Sequence, residues 1–304
     1  MNKTLKKLRI GTRGSNLAMA QTKLIVENIS NCFPDLEIEI VLIKTEGDKD
    51  QRSSLSQIGG TGLFVKTIEE ALKDDRIDAA VHSAKDLPSV ISDEFQLAGA
   101  LECGYREDVL ISKNGQDLKS LPEGSTIGSG SPRRISQLLR YRPDLEFKEI
   151  RGNIDTRLQK LYDSFYDAIV LARAGLHRLN MDEMIAQIIP FEISLPAPGQ
   201  GIICIETLKS NSDAIDIVNK INHINTHIVL SAERNFLKTM NMGCGLPIAG
   251  MAWIENDMLF FKGRVLSPDG KKMEEKVLSK EIEKAEEIGE QLGNYLLPYA
   301  NEII

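Results

Sequence analysis

Arginines in short loops are the feature of this sequence that points most directly to chemistry. Several follow predicted strands and stand near glycine or serine: Arg13, Arg133, Arg134, Arg151, Arg157, Arg173 and Arg178. Guanidinium groups bind carboxylates or phosphates through paired hydrogen bonds, and the free N–H groups at helix starts favour anions. The alternatives are surface arginines at helix ends or a site for a ligand with several negative charges, and the set as a whole favours the second.

The stretch HSAKDLPS, residues 82–89, is the second candidate. It places His82, Lys85 and Asp86 in a loop that follows a predicted strand and reaches Pro88. A carboxylate beside a cation stays ionised, so Asp86 would stabilise a positive centre or accept a proton. A local surface ion pair explains the same residues equally well.

The stretch NMGCGLPIAG, residues 241–250, sets Cys244 between two glycines at the end of a predicted helix. A buried, inert thiol is the commonest state of a free cysteine. The flanking glycines would instead let a ligand approach the sulfur closely. Taken alone, these residues favour the inert thiol and leave a functional one open.

The remaining cysteines and the histidines indicate neither a disulfide framework nor a metal site. Cys32, Cys103 and Cys204 are widely spaced and form no C-x-x-C pair. His223 and His227 lie four residues apart, but no carboxylate–histidine motif accompanies them. We therefore predict no metal, take Cys204 as a core strand residue, and expect a reducing compartment, the cytoplasm.

Length and charge limit the class of protein. The 304-residue chain has 42% hydrophobic residues, 27% charged residues and a net charge of −7. This composition is that of an ordinary globular protein with two or three domains, and the negative charge argues against broad binding of nucleic acid. No apolar region follows the basic N-terminus and no run approaches about 18 apolar residues, so we expect neither a secretory signal nor a membrane span.

The loops that carry these residues alternate with predicted strands and helices. The first part of the chain is predicted to contain strands at 8–11, 37–44 and 77–83 and helices at 16–29 and 63–75. A second part repeats the pattern, with a strand at 125–128 and a helix from Pro132. In addition, SFYDAIVLARAG (164–175) is similar to RIDAAVHSAKD (76–86). We predict two similar α/β halves whose strand-to-helix loops face a shared cleft.

Two segments interrupt this alternation. Residues 45–62 form a polar connection long enough for a lid or a disordered loop, and GGTG (59–62) within it is predicted to be a flexible hinge. SLPAPGQG (194–201) is rich in proline and glycine and predicts a change of domain. Beyond it we predict a strand at 202–206, a helix at 226–240, three antiparallel strands separated by turns, and a last helix at about 280–297.

Several stretches, in order along nearly the whole chain, together resemble the porphobilinogen deaminase (hydroxymethylbilane synthase) family. They are IGTRGSNLAMAQ (10–21), IGGTGLFVK (58–66), AVHSAKDLP (80–88), SPRRISQL (131–138), RPDLEFKEIRGNIDTRLQKL (142–161), YDAIVLARAGLHRL (166–179), ISLPAPGQG (193–201) and GCGLPIAG (243–250). Each motif alone is weakly specific, and their order and extent carry the resemblance.

The resemblance implies an α/β fold of three domains: two periplasmic-binding-protein-like α/β domains and a small C-terminal α+β domain with a three-stranded antiparallel sheet. The expected domains are residues 1–98 with about 200–216, residues 99–199, and residues 217–304. It also implies a monomeric, cytoplasmic transferase of tetrapyrrole (porphyrin and heme) biosynthesis that involves neither nucleic acid nor a membrane. Four molecules of porphobilinogen are joined head to tail with loss of ammonia, and hydrolysis releases hydroxymethylbilane.

The resemblance also implies roles for individual residues. A dipyrromethane cofactor is expected on Cys244 through a thioether, with Asp86 as the catalytic carboxylate that stabilises the cationic, azafulvene-like species left by ammonia. The residues implied for cofactor binding are Lys85, Asp86, Ser131, Arg133, Arg134 and Arg157. Those implied for substrate binding are Arg13, Ser15, Arg151, Arg157, Arg178 and Gln200.

Three positions depart from the family pattern. Gln57 and Thr61 stand where lysines are expected around the flexible loop, although Lys66 is retained. Met242 stands where a further glycine is common before Gly243 and Cys244. These differences bear on the lid and on the shape of the cofactor loop, while the expected anchor itself is present.

Two other classes of protein are alternatives. A solute-binding protein of two-lobed architecture would bind a polyanion without turnover, but it would carry a secretory signal and lack a third domain. An acyltransferase would use Cys244 as a thioester-forming nucleophile, which needs a base, and residues 241–250 contain no histidine.

Overall fold

A computed structural model describes residues 6–44, 62–163, 165–241 and 245–304. The chain divides into two compact units. Unit 1 comprises Met1–Cys103 and Ile202–His227, and unit 2 comprises Gly104–Gly201 and Ile228–Ile304. The finer division into three domains stays a prediction.

The elements alternate between strand and helix for most of the chain. The strands are β1 (Lys7–Thr12), β2 (Glu37–Leu42), β3 (Ala79–Ser83), β4 (Phe95–Ala100), β5 (Asp108–Ser112), β6 (Thr126–Gly128), β7 (Glu146–Lys148), β8 (Ala168–Ala172), β9 (Gln187–Ile189), β10 (Ile203–Leu208), β11 (Ile248–Glu255), β12 (Met258–Leu266) and β13 (Met273–Glu281). The α-helices are α1 (Asn16–Cys32), α2 (Gly62–Lys73), α3 (Pro132–Tyr141), α4 (Ile154–Tyr162), α5 (Arg173–Arg178), α6 (Ser212–Ile221), α7 (Ile224–Met240) and α8 (Ala285–Ile303). Short 3-10 turns span Ala84–Asp86, Asp182–Met184 and Ile282–Lys284.

Unit 1 is built on a five-stranded sheet in the order β2-β1-β3-β10-β4. The strand β1 is parallel to β2 and β3, whereas β10 runs antiparallel to β3 and β4. Apolar side chains fill both faces: Ile25 of α1 and Val218 of α6 pack on one, and Ile68 of α2 packs on the other. Burial on both faces explains why β3 and β10 are mostly apolar along their length.

Unit 2 contains a second sheet of the same topology, in the order β7-β6-β8-β5-β9. Here β6 is parallel to β7 and β8, and β5 is antiparallel to β8 and β9. The sheet register makes β1, β2, β3 and β10 of unit 1 equivalent to β6, β7, β8 and β5 of unit 2. The predicted pair of similar α/β halves is therefore confirmed at the level of topology.

The repeat extends to individual hydrogen bonds. Asp78 and Asp167 precede β3 and β8, and their carboxylates accept from the backbone N–H groups of Arg9 (2.7 Å) and Thr126 (2.8 Å) respectively. The backbone N–H of each aspartate donates in return to the carbonyl of the same partner, at 2.8 and 2.9 Å. The Asp-Ala dipeptide shared by the two similar stretches thus performs one structural task twice.

The C-terminal part of unit 2 forms the predicted three-stranded antiparallel sheet, in the order β11-β12-β13. Phe236 of α7 packs edge-to-face on Phe261 of β12, with ring centroids 5.3 Å apart. Glu233 of α7 is fully buried and accepts hydrogen bonds from the backbone N–H of Ala252 (2.7 Å) and from Arg106 (2.7 Å). This carboxylate joins the helix, the sheet and the start of unit 2.

The predicted elements differ from the observed ones at the C-terminus, in short strands and in three helices, α4, α5 and α6, that were not predicted. The last helix was predicted from about residue 280 and begins at Ala285, because β13 pairs with β12 as far as Glu281. The short apolar strands β4 and β5 were not predicted, since such runs carry little periodicity of their own. Within the described residues, no helix combines the length and apolar character needed to cross a membrane.

Candidate functional site

In unit 1 the candidate residues lie at one edge of the sheet. The strands β1 and β3 are parallel neighbours, so the loops that follow them leave the sheet on the same side. Arg13 and Ser15 follow β1, and Lys85 and Asp86 follow β3. The fold therefore brings these four residues, separated by about seventy positions in the sequence, to the carboxyl edge of neighbouring strands.

Asp86 ends a one-turn 3-10 helix that is anchored on both sides. Ala84 and Leu87 are 3% and 1% exposed, whereas Asp86 is exposed. The Leu87 N–H donates to the Ala84 carbonyl (3.3 Å), and the Ala84 N–H donates to the carbonyl of Ile202 (3.0 Å). The turn thus presents a carboxylate to solvent from a fixed backbone, as a catalytic or binding carboxylate requires.

Ser15 also has a local structural task. It occupies the N-cap of α1 in extended conformation, and its Oγ accepts a hydrogen bond from the Ala18 N–H (3.3 Å). Arg13 lies two residues earlier and is half-buried. The predicted substrate-binding pair therefore stands at a helix N-terminus, where the dipole favours a carboxylate.

In unit 2 the candidate residues gather at the corresponding edge. The parallel strands β6, β7 and β8 are followed respectively by Ser131 with Arg133 and Arg134, by Arg151 with Arg157, and by Arg178. The two α/β sheets thus present their candidate residues from equivalent positions. The spacing of the motifs in the sequence predicts these loops, and the parallel pairing of the strands brings the loops to one edge of the sheet.

Arg133 and Arg134 are buried in the first turn of α3, and both bind Asp108 at the start of β5. Arg133 Nη1 lies 2.8 Å from Asp108 Oδ2, and Arg134 Nη2 lies 2.7 Å from Asp108 Oδ1. Positive charges at a helix N-terminus are opposed by the helix dipole, so the buried carboxylate offsets an otherwise unfavourable arrangement. Ser131 is the N-cap residue of this helix and is half-buried.

Asp108 is the residue that sequence reasoning missed. Burial by itself raises the pKa of this carboxyl, but the adjacent guanidinium groups of Arg133 and Arg134 outweigh it and hold that pKa well below its usual range. Ser194 Oγ (2.8 Å) and Gln200 Nε2 (3.0 Å) also donate to the carboxylate. An aspartate directly before the apolar residues Val109–Ile111 was the available signal.

Gln200 is fully buried within this Asp108 network and not at an exposed position. Its amide nitrogen donates to the Arg106 carbonyl at 2.7 Å as well as to Asp108. Its amide oxygen makes no hydrogen bond with the part of the chain that the structure describes. Gln200, predicted to bind substrate, thus lies beside Asp108, the carboxylate that pairs with Arg133 and Arg134.

The other candidate arginines of unit 2, Arg151, Arg157 and Arg178, are half-buried and hydrogen-bonded within the unit. Arg157 Nε donates to the Gly152 carbonyl (2.8 Å), Arg151 Nε contacts Glu149 Oε1 (2.7 Å), and Arg178 Nη2 donates to the Gly201 carbonyl (2.6 Å). The bonds of Arg157 and Arg178 hold their guanidinium groups to backbone carbonyls, and that of Arg151 holds it to a side-chain carboxylate. Such pre-ordered arginines lose less conformational entropy when they bind a carboxylate.

Arg173 was part of the predicted arginine set without an individual role. Its guanidinium stacks on the Tyr105 ring at 3.5 Å from the centroid and pairs with Glu107 at 2.9 Å. Lys66 is exposed on α2, and Cys204 is fully buried in β10, as predicted. Cys244 and Met242 lie outside the described residues, as do Gln57, Thr61 and the predicted lid apart from Gly62.

Comparison with known proteins gives matches along almost the whole chain. The family model described as porphobilinogen deaminase, dipyromethane cofactor binding domain, matches residues 8–216, and the model for the porphobilinogen deaminase C-terminal domain matches residues 228–298. Curated relatives named porphobilinogen deaminase include those of Chlorobium phaeobacteroides (44% identity, 98% of this chain and 97% of the relative) and Syntrophomonas wolfei (41% identity, 96% of each). The porphobilinogen deaminase of Buchnera aphidicola is 45% identical, and the match covers 88% of this chain and 85% of the relative.

Solved structures match at lower similarity. An ancestral cationic amino acid solute binding protein covers 71% of this chain and 88% of its own at a TM-score of 0.44 and 12% identity. The Bordetella pertussis BvgS periplasmic VFT2 domain covers 72% of this chain and 86% of its own at a TM-score of 0.42 and 14% identity.

Proposed function

The chain belongs to the porphobilinogen deaminase family, and from this premise we propose how its residues divide the work of the reaction. The protein is a transferase of tetrapyrrole biosynthesis that condenses four porphobilinogen molecules head to tail, with loss of ammonia at each step and final hydrolysis to hydroxymethylbilane. The observation that carries the assignment of residues is the exposed Asp86 carboxylate, which shares a sheet edge with Arg13.

Asp86 is proposed as the catalytic residue. Loss of ammonia from porphobilinogen leaves positive charge that spreads onto the pyrrole nitrogen. A carboxylate that accepts a hydrogen bond from that N–H stabilises the charge more strongly than it stabilises the neutral substrate, which is the condition for lowering the barrier. The same oxygen can hold a proton in transit. Removal of such a group typically slows a reaction by about 10²–10⁴-fold.

The residues present fit a dipyrromethane cofactor, which carries several carboxylates. The donors at the carboxyl edge of the second sheet are guanidinium groups and the Ser131 hydroxyl, and guanidinium is the natural partner of a carboxylate. We propose that Cys244 anchors the cofactor by a thioether, with Ser131, Arg157 and Lys85 holding it. When bound, the group supplies a tethered pyrrole acceptor for the incoming substrate.

Arg133 and Arg134 support the same site through Asp108. Both guanidinium groups are largely engaged by that carboxylate, so their proposed contribution is a fixed positive field with a limited number of N–H groups directed at the cofactor. The bidentate arrangement holds the first turn of α3, which carries Ser131 at its N-cap.

Arg13, Ser15, Arg151 and Arg178 are proposed to bind the carboxylates of porphobilinogen, and Gln200 of unit 2 is proposed as a further substrate-binding residue. The acidic chain has a net charge of −7, so local arginines are needed to attract an anionic substrate. We further propose that the protein acts as a cytoplasmic monomer on this small-molecule substrate.

The anchor is tested by intact mass spectrometry of the wild type and of Cys244→Ser. The wild type should be heavier than its sequence by the mass of one dipyrromethane, and Cys244→Ser should lack this excess mass. In the wild type the excess mass should persist after treatment with hydroxylamine, because a thioether resists aminolysis. Cys32→Ser, at an exposed cysteine, is the matched control and should keep the adduct. An unmodified but fully active wild type would refute the proposed anchor, and a hydroxylamine-labile adduct would favour the acyltransferase alternative.

A further inference from the structure

His82 belongs to the HSAKDLPS motif, but it lies in the strand β3 and not in the exposed turn that carries Asp86. It is 8% exposed, and its Nε2 lies 3.0 Å from Oε2 of Glu206, which is fully buried. The two residues sit on neighbouring antiparallel strands, β3 and β10, where Cys204 is directly opposite His82 and Glu206 is opposite Ala80. Their side chains therefore share one face of the sheet, on a diagonal.

The next residues of β3 are held from other directions. Ser83 lies on the opposite face of the strand, where its hydroxyl and the Gln21 side-chain amide of α1 exchange hydrogen bonds at 2.8 and 3.2 Å. The Ala84 N–H then donates to the Ile202 carbonyl at 3.0 Å. Three consecutive residues are thus fixed by three separate contacts, and Asp86 follows two positions later.

The internal repeat supplies a comparison within the same chain. The register that equates β3 with β8 and β10 with β5 places Leu171 at the position of His82 and Ile111 at the position of Glu206. Both are core residues, at 3% and 1% exposed. In that sheet Gly175 occupies the position of Asp86, so the turn carries no carboxylate.

This comparison separates what the fold requires from what the carboxylate turn requires. The sheet of unit 2 has the same topology with a leucine and an isoleucine at these two positions, so the fold does not need a buried histidine–glutamate pair there. Burying such a pair is costly, and replacing one with apolar side chains is often neutral or stabilising. The pair occurs in the half of the repeat whose turn presents Asp86.

From this we propose that His82 and Glu206, together with the Ser83–Gln21 pair, are positioning residues for Asp86. They fix the end of β3 from both faces and thereby fix the direction in which the Asp86 carboxylate leaves the turn. Catalytic groups act within a narrow range of geometry, and a displacement of about 1 Å costs on the order of 10²-fold in rate. The inference rests on the proposed catalytic role of Asp86.

The decisive variant copies the apolar half of the repeat into unit 1: the double substitution His82→Leu with Glu206→Ile, measured in the cofactor-loaded enzyme. We expect the melting temperature and the mass adduct to be retained, the KM for porphobilinogen to change little, and kcat to fall roughly 10- to 100-fold. Thr207→Val is the matched control, because Thr207 is the next residue of β10, is fully buried, and has a hydroxyl without a hydrogen-bond partner among the described residues. It should leave kcat unchanged.

A second measurement shows whether the effect passes through Asp86. In an Asp86→Asn background the double substitution should add almost nothing, since two changes that act on one group are not additive. Full additivity, or wild-type kcat in a folded double variant, would overturn the proposal. If the double variant fails to fold, Glu206→Gln is measured in its place, in the wild-type and in the Asp86→Asn background. Full additivity or a wild-type kcat would again overturn the proposal. Normal turnover of Asp86→Asn by itself would instead refute the proposed catalytic role of Asp86.

Discussion

At the residue scale, Asp108 shows how one buried carboxylate can organise several candidate ligands. Arg133, Arg134, Ser194 and Gln200 all donate to it, from α3 and from the segment that precedes β10. A fully buried anion is stable only when charges and donors surround it. The arginine pair and the aspartate are therefore best regarded as a single unit, whose members cannot be altered independently.

Asp108→Asn should destabilise the protein by about 3–5 kcal/mol at neutral pH, because it leaves two buried guanidinium groups without their counter-charge. Urea unfolding gives the free-energy change, and intact mass gives the retained adduct, which should also fall. Ser194→Ala is the control, since it removes one neutral donor and should cost about 1 kcal/mol. Equal losses in the two variants would show that the charge of Asp108 is unimportant.

The same residue predicts a pH dependence. Its folded pKa lies below its unfolded pKa, so its stabilisation is complete above the unfolded value of about 3.9 and is lost as the pH falls below it. Wild-type stability should therefore drop more steeply than that of Asp108→Asn between about pH 4 and pH 2. Parallel curves over that range would contradict the assignment.

At the element scale, α2 packs against the face of the first sheet that carries the His82–Glu206 pair. Ile68 and Leu72 of this helix are in its core, and Glu69 lies between them in sequence, half-buried. Burial raises the pKa of Glu69, and the nearby Glu206 carboxylate raises it further, whereas His82 and Lys73 act in the opposite direction. Ionisation of the Glu69 carboxyl thus opposes the packing of α2 on the sheet.

Glu69→Gln should stabilise the protein more at pH 8 than at pH 4. An acid whose folded pKa is raised favours the folded state only while protonated, and that advantage disappears as the pH rises through the folded pKa. The amide removes the charge and keeps the shape. Thermal unfolding at the two pH values measures the effect, and Glu70→Gln, exposed on the same helix, should show no such difference. A pH-independent gain at Glu69 would point to packing instead.

At the scale of the whole molecule, two sheets of one topology present different chemistry from equivalent loops. The first presents Asp86 and Lys85 after β3, and the second presents Arg178 after β8. Arginines follow parallel strands in both units, and guanidinium groups are the side chains that bind carboxylates through paired hydrogen bonds. The two sheets therefore share a topology and differ in the residues that their equivalent loops carry.

Arginine-to-leucine changes at Arg13, Arg151 and Arg178 should each raise the KM for porphobilinogen or release intermediates early. Loss of a charge-assisted hydrogen bond to a carboxylate costs roughly 1.5–3 kcal/mol, which is about 10- to 100-fold in affinity. Steady-state kinetics and mass spectrometry of bound intermediates measure both effects. Arg76→Leu is the control, since Arg76 is exposed and precedes β3, away from its carboxyl end. Unchanged kinetics in all three variants would remove the polycarboxylate argument.

The sequence by itself determined the family, the alternation of strands and helices, the internal repeat and the loops that carry the candidate residues. These follow from local signals, because apolar periodicity, glycine, proline and the order of short motifs are all read within a few residues. The position of Asp86 directly after a strand and the C-terminal antiparallel sheet were predicted in this way and are present.

Only the tertiary structure decided which polar groups meet. Glu206 lies 124 positions from His82, and Asp108 lies 25 positions before Arg133, so no local pattern connects either pair. Charge in a sequence also does not show burial, and for that reason Arg133, Arg134 and Gln200 were predicted as ligand-binding residues without the buried Asp108 carboxylate that contacts all three. A buried polar group must find its partner wherever the fold supplies one, and the fold is set by apolar packing along the entire chain.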